Sequence, residues 1–449
     1  MENEPMGMTG RLADFIVTTK SSDISSEVFE HAKVAFLDWI GVTLAGKNDP
    51  LVIKLMELED AMGGQEQATI IGHGKKKSVS QAALINGSAS HALDYDDSMI
   101  PFLGHPSVTL FPGILALSEW KQKSGHQFLT AYIIGLKAGV TIASCAGLEH
   151  YLSGYHGTST MGAFASAAAC ARLMGLNSQQ TVYALGIAGT QAGGLKRVFG
   201  TMCKPFHAGR ASQIGVISAL LANNNFTSAE DILEGPSGFF QAMKGAVNEE
   251  VLKTLGQTWM IENLAQKYHA SCHATHSPIE ASLSTVRREN IPVENIKSIK
   301  IFVSQTALSA AFKNEADTGL EGKFSIPYCV ANALLRGNTG LQAFTDEKVK
   351  DPQIKKLMAK IFTHQDSGIT ALDAKVEIET LEGKTYSAYS DIFKEIPDLD
   401  EKRKKIKAKF SDLSAPVLGS QKTDELFKKI SDLENVPAMG VLSELVSLS

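Results

Sequence analysis

The stretch 160–174, TMGAFASAAACARLM, decides how the chain reads. It has helical character, and Ala, Gly and Ser crowd it so densely that one face must approach a neighbouring helix at short distance. Working outward, the same type of pattern recurs on both sides. From Val28, apolar residues return at Ala32, Ala35, Phe36, Trp39, Ile40 and Leu44, which is helical spacing and not strand alternation. Ser22, Asp23, Ser25 and Ser26 precede it as capping candidates, and Gly46 is expected just beyond its end. Further helices are predicted over 79–91, 110–123, 127–148, 178–192 and 211–223, with a short strand-like run at 68–72.

The character changes after about residue 265. The run 298–304 (SIKIFVS) alternates and is rich in branched residues, and 374–380 with 385–390 flank a Leu381-Glu382-Gly383-Lys384 turn, which predicts a hairpin. Helical segments are expected between them at 279–289, 326–335 and 351–361. From Asp398 the chain returns to charged amphipathic helix. The predicted fold is therefore mainly α with an α+β insertion. A large all-helical domain would be formed by residues 1–266 and 398–449, with a smaller α+β lid domain over 267–397.

Composition narrows the function. The 449 residues carry 43 basic and 48 acidic side chains, a formal charge of −5, which argues against non-specific nucleic-acid binding. The runs Lys75–Lys77 and 402–409 are expected to be solvated faces. Five widely spaced cysteines with no CxxC pair do not form a secreted disulfide framework. No signal peptide is visible, and Lys137 and Arg172 interrupt the most apolar stretches, so no membrane span and a cytoplasmic location are expected.

Four patches are unusual for packing alone. The first, HALDYDDS (91–98) followed by GHPS (104–107), places Asp94, Asp96 and Asp97 within four positions. Like charges that close must cap a helix, bind a cation or hold a basic partner, and Asp96 or Asp97 at a helix start is the plain alternative. Magnesium would need further carboxylates that the sequence does not supply. The second, Gly154-Tyr155-His156-Gly157, puts a histidine at a helix mouth, where backbone N–H groups attract anions. In the third, GTMCKPFHAGRA (200–211), Lys204, His207 and Arg210 at a helix entrance suit a carboxylate or phosphate, although neither a P-loop nor a dinucleotide fingerprint is present. In the fourth, KYHASCHATH (267–276), a helix would align His269, Cys272, His273 and His276 on one face. One helix rarely supplies four zinc ligands, so a histidine donor facing a pocket is preferred.

HALDYDD, GHPS, GYHGTSTMGAFASAAACARLMGL, KPFHAGRASQIGVISALLA, KYHASCHATHSPIEA and FSIPYCVANALL, taken in order, resemble the MmgE/PrpD family, which includes 2-methylcitrate dehydratase, cis-aconitate decarboxylase and iminodisuccinate epimerase. The resemblance implies a helical body with an α+β lid, a homodimer, and cofactor-free chemistry on small di- and tricarboxylates in a cleft, with no metal. Carried over by position, it implies site residues Asp94, Ser98, His105, His156, Lys204, His276 and Tyr328. Ser98 stands where the decarboxylases have threonine.

The residues suit that chemistry independently. Removing a proton α to a carboxylate creates an aci-carboxylate whose charge must be met by cationic donors. Lys204, His207, Arg210, Lys267 and His269 are the candidate substrate ligands, with Ser98. His105 and His156 are the candidate proton carriers, Tyr328 and His276 donors or orienting partners, and Asp94 the group that fixes a histidine tautomer or a lysine. Elimination of water is the leading expectation, with epimerisation of an imino or amino dicarboxylate and decarboxylation as alternatives. A magnesium-dependent prenyl-chain enzyme is disfavoured by 7% aromatic content and the lack of a second acidic motif. A non-enzymatic helical scaffold would leave the His and Lys patches apart.

Overall fold

The computed structural model describes residues 6–447, which divide into two compact units. The first comprises residues 6–92, Asp96–Gln266 and 398–447; the second, Leu93–Tyr95 and Lys267–Pro397.

The first unit is helical: α1 (Met8–Thr18), α2 (Ser26–Gly46), α3 (Pro50–Met62), α4 (Val79–His91), α5 (Ser107–Trp120), α6 (Gly125–Leu152), α7 (Gly157–Met174), α8 (Ser178–Gly189) and α9 (Cys203–Asn223). Local signals set their starts. Ser25 Oγ accepts from Val28 N at the head of α2, and capping boxes open α4 (Ser78/Gln81), α6 (Ser124/Gln127) and α8 (Asn177/Gln180). Gly46 is the last residue of α2, not the residue beyond it. α7, the small-residue helix, packs against α5, α6, α8 and α9. A Cβ added at Gly215 of α9 would lie 2.1 Å from Ser166 Oγ, which shows how near these two helices run.

α6 is long and apolar enough to cross a bilayer by composition, despite Lys137. Its apolar surface is instead buried within the protein, and Lys137 Nζ donates to Thr254 Oγ1 at 2.8 Å. Gly147, at φ 68°, interrupts the helix near the end that the pattern predicts. The run at 68–72 forms strand β1 (Ala68–Ile70), paired antiparallel with β2 (Lys75–Lys77).

The helices Leu399–Leu418, Ser420–Ser431 and Val441–Val446 also belong to this unit. The first of them corrects one expectation. Lys402 and Lys409 are not solvated: both are buried beside Ile406 and Phe410. Lys409 Nζ pairs with Asp38 Oδ1 of α2 at 2.7 Å, and Lys402 Nζ donates to the carbonyls of Glu262 and Leu264, each at 3.2 Å. Burial lowers the Lys402 pKa to about 8.

The second unit holds a four-stranded sheet in the order β4 (Ile361–Gln365), β3 (Ile296–Val303), β5 (Ala374–Thr380), β6 (Thr385–Ser390). β3 pairs with β4 in parallel and with β5 antiparallel, and β5–β6 is a hairpin whose turn carries Gly383 at φ 81°. Ile299, Ile301 and Val303 of β3 with Ala374, Val376 and Ile378 of β5 form the covered face. The helix His276–Glu289 packs against β5 and β6. The helix expected over 351–361 stops at Met358, and β4 takes up the chain from Ile361.

Candidate active site

Two glycines bring the first histidines together. The loop ending at His105 runs directly across the N-terminus of α7, where His156 is the N-cap residue. His105 N donates to Thr158 Oγ1 at 3.1 Å, while the His156 carbonyl accepts from Ser159 N and Thr160 N. A Cβ at Gly104 would lie 2.4 Å from Thr158 N, and one at Gly157 would lie 2.5 Å from the Phe102 oxygen. Any side chain would therefore force the two histidine loops apart. Gly157→Ala is expected to cost about 1–3 kcal/mol of stability, read as the shift in a urea-unfolding midpoint. An unchanged midpoint would show that the loops separate freely.

The histidines form one cluster within this unit. The His91 and His105 rings are 4.5 Å apart by centroid, and His91 and His156 are 6.4 Å apart and stacked. His156 Nδ1 lies 3.0 Å from His207 Nδ1, so one of these two nitrogens carries a proton and donates to the other. Phe199 meets the His156 ring edge-on, and Lys204 Nζ lies 5.5 Å from the centre of the Phe199 ring. Lys204 and His207 share one face of the first turns of α9, which begins at Cys203, earlier than the apolar pattern indicates. Burial holds His156 well below the usual imidazole range, with the charges of His207 and Lys204 acting in the same direction. His207 is lowered by burial and by Lys204, and His91 is lowered to about 4, mainly by burial. These three rings are therefore neutral near pH 7, and Lys204 supplies the positive charge beside them.

Asp96 lies between His91 and His105. Its Oδ1 is 2.8 Å from His91 Nδ1, and its Oδ2 is 3.0 Å from His105 Nδ1, which also contacts the Asp97 carbonyl at 2.8 Å. Burial opposes its ionisation, but the two imidazoles outweigh that and hold its pKa well below the usual carboxylate range. Neither Asp96 nor Asp97 caps a helix locally, as had been the plain alternative. Asp97 instead reaches ten residues ahead to the start of α5, where its carboxyl bonds Ser107 N at 3.3 Å and Ser107 Oγ; Ser107 Oγ in turn meets Tyr132 OH at 2.8 Å.

Burial, with the charges of Asp38 and Asp96, raises the Asp97 pKa to about 8. Its folded pKa therefore exceeds its unfolded one, so between roughly pH 4 and 8 the folded state binds the extra proton. The stability this provides is complete below the unfolded pKa and is lost as pH rises through about 8. Asp97→Asn, which mimics the protonated acid, is expected to lose less Tm than the parent between pH 6 and 9. Parallel Tm curves for the two proteins would refute it.

The second unit holds the other predicted residues. Lys267 Nζ donates to Asp94 Oδ1 and to the Asp94 carbonyl, both at 2.7 Å, with both side chains buried. Asp94 adopts a left-handed backbone, φ 51°. The four residues expected on one helical face do not share a helix: His269 and Cys272 precede a short 3-10 turn at His273–Thr275, and His276 begins the helix. Edge-to-face ring contacts join His276 to His269 and His273. Both His269 nitrogens are engaged, with Thr339 Oγ1 at 2.7 Å and Glu280 Oε1 at 2.8 Å, and His276 Nε2 lies 3.3 Å from the Ser271 carbonyl. Tyr328 is buried, and its hydroxyl donates to the Ala343 carbonyl.

The structure thus gathers His105, His156, Lys204 and His207 in the first unit, with Asp94, Lys267, His269, His276 and Tyr328 in the second. Ser98 lies in the first unit, bridged through its backbone to Ala265. The Arg210 guanidinium is turned to Gln213 Oε1 at 2.6 Å. His91 and Asp96 were not among the expected site residues, and Phe199 was also missed. His91, Asp96 and His105 offer ligand atoms within 4.8 Å of one another, near enough for a cation. Asp96 Oδ1 is, however, already bonded to His91 Nδ1, and His105 Nδ1 to the Asp97 carbonyl, so this donor set fits an internal network better than a metal. All five cysteines are free thiols.

Residues 10–251 match the MmgE/PrpD N-terminal domain, and residues 269–433 match the MmgE/PrpD C-terminal domain. The chain is 26% identical to the cis-aconitate decarboxylase-like protein oryM of Aspergillus oryzae, over 99% of this chain and 98% of the relative. It is 24% identical to cis-aconitate decarboxylase of Mus musculus, over 98% and 93%. Identity to the mitochondrial 2-methylcitrate dehydratase of Yarrowia lipolytica is 26%, over 79% and 71%. Two matched domains spanning most of the sequence establish the assignment: the chain belongs to the MmgE/PrpD family.

Proposed function

We propose that the protein is a cofactor-independent lyase that acts on a small di- or tricarboxylate by removing a proton α to a carboxylate and then eliminating water. The observation that carries this reading is the placement of Lys204 beside neutral histidines, with one ring, His105, backed by a carboxylate. His105 Nδ1–H donates to the Asp97 carbonyl, with Asp96 Oδ2 3.0 Å from the same nitrogen, so the electron pair that takes the proton is at Nε2. As the C–H bond breaks, negative charge moves onto the carboxylate, where the Lys204 ammonium meets it. The new C=C bond forms as the neighbouring C–O bond breaks, and the departing hydroxide takes the proton now held on His105 Nε2 and leaves as water, which returns His105 to its starting state.

Decarboxylation is the second reading. Cis-aconitate decarboxylases from Aspergillus terreus and mouse align with 80–99% of this chain, whereas the dehydratases align with 77–79%. In that reaction the carbon–carboxylate bond breaks, CO2 leaves, and the electron pair is protonated on carbon.

One experiment separates them. Purified protein is given 2-methylcitrate or cis-aconitate in deuterium oxide, with alkene absorbance, released CO2 and deuterium incorporation recorded. Alkene formation from 2-methylcitrate supports dehydration, and CO2 from cis-aconitate supports decarboxylation. Turnover of neither, in a folded protein, rejects both; deuterium exchange into an otherwise unchanged imino or amino dicarboxylate would indicate epimerisation. A homodimer working in the cytoplasm completes the proposal. The free cysteines suit a reducing compartment, and exposed Leu148, Leu152 and Leu195 provide apolar surface.

A further inference from the structure

The Asp96 carboxylate joins two imidazoles, yet the proton-transfer scheme above needs only one of them. A carboxylate oxygen only accepts hydrogen bonds, so the bond between His91 Nδ1 and Asp96 Oδ1 requires N–H at His91 Nδ1, while Asp96 Oδ2 lies 3.0 Å from His105 Nδ1 without accepting a hydrogen bond. The Asp97 carbonyl imposes the same requirement on His105 Nδ1. The electron pair of each ring is therefore at Nε2. His91 Nε2 is buried and makes no hydrogen bond.

We infer that Asp96 is a positioning residue for proton transfer. Its Oδ2, 3.0 Å from the ring, balances the imidazolium formed when His105 Nε2 takes a proton, while His91 anchors the other carboxylate oxygen and the Asp97 carbonyl holds His105 as the Nδ1–H tautomer. The inference rests on the reading of His105 as proton carrier.

Three features support it. His91 is the last residue of α4, with no side-chain exposure, so it offers a rigid anchor. Its neutrality lets it donate a hydrogen bond without adding a positive charge that would compete with His105 for the carboxylate. The remaining charged or titratable groups here are otherwise placed: Lys204 lies toward His91 and His156, His156 pairs with His207, Asp97 is tied to Ser107, and Asp94 is bound by Lys267. Asp96 Oδ2 lies 3.0 Å from His105 Nδ1.

The test compares Asp96→Asn, His91→Asn and His91→Leu with the parent. Asparagine at 96 keeps an oxygen that accepts from His91 Nδ1–H but carries no negative charge to face His105. Asp96→Asn is expected to lower kcat by roughly 10²–10⁴-fold, with KM within about threefold of the parent. Loss of the counter-charge should also move the acidic limb of the kcat–pH profile down by about one unit. His91→Asn keeps an N–H near the Nδ1 position and should stay within about tenfold of the parent, whereas His91→Leu should move toward Asp96→Asn. The ring state is read by 15N NMR of ring-labelled protein without substrate: neutral His105 should be Nδ1–H in the parent and in Asp96→Asn alike, with the doubly protonated ring appearing only at lower pH in the variant.

An Asp96→Asn enzyme with kcat within threefold and an unmoved limb would overturn the inference, as would a parent His105 in the Nε2–H form. The NMR readout needs no turnover, so it stands or fails separately from the proposed substrate class.

Discussion

Lys204→Ala is expected to lower kcat/KM by roughly 10²–10³-fold while leaving Tm within a few degrees. The magnitude follows from where the ammonium sits. It lies in the first turn of α9, beside rings that burial keeps neutral, so charge building on a substrate carboxylate there would meet its cation in Lys204. In a site shielded from water that interaction is far stronger than on the surface. Because the charge grows along the reaction coordinate, the loss should fall mainly on kcat, with a smaller rise in KM from weaker binding of the ground-state carboxylate. Lys204→Arg should recover part of the rate, since the charge is kept but the geometry differs. Steady-state kinetics on whichever acid is turned over provides the check. A Lys204→Ala enzyme within twofold of the parent would remove Lys204 from the site.

His105→Asn should reduce kcat by about 10²–10⁴-fold, the usual contribution of a positioned acid–base group. Asparagine keeps an N–H near the Nδ1 position, so the contact with Asp96 can persist while the Nε2 electron pair is lost. Fold and charge network are thus largely preserved, and the effect isolates proton transfer. Deuterium exchange at the substrate carbon should fall with turnover. If exchange continued at the parental rate while net product formation fell, proton removal would belong to another residue, and His156 would be the first to test.

Much of the helical body was legible because small and apolar residues recur with helical period. The α4 boundaries, 79–91, coincide with the pattern, as do those of β5 and β6 around the Gly383 turn. Errors gather where chemistry interrupts the period. α9 begins at Cys203 and not at 211, because its first two turns carry Lys204, His207 and Arg210. β4 was absorbed into a preceding helix, since IFTHQ is short and leaves Phe362 exposed at the sheet edge.

The inward-facing Lys402 and Lys409 had a readable signal: with Ile406, Phe410 and Leu413 they fall on one helical stripe. Asp96 had none. Its role depends on His105 returning to it across a loop, and no periodicity encodes that return. The motif HALDYDD is further divided, because His91 and Asp96 belong to one unit while Asp94, held by Lys267, belongs to the other.

The Asp38–Lys409 pair also has a consequence for synthesis. On the ribosome, the Asp38 carboxylate emerges long before its cation, with the whole segment 267–397 translated in between. At about 5–20 residues per second this interval lasts roughly 20–75 seconds. Closing the first unit earlier would bury a charge without its partner, at a cost of several kcal/mol. The nascent chain is thereby biased to keep α2 hydrated until its last helices arrive, which makes completion of the helical body a late, post-translational event.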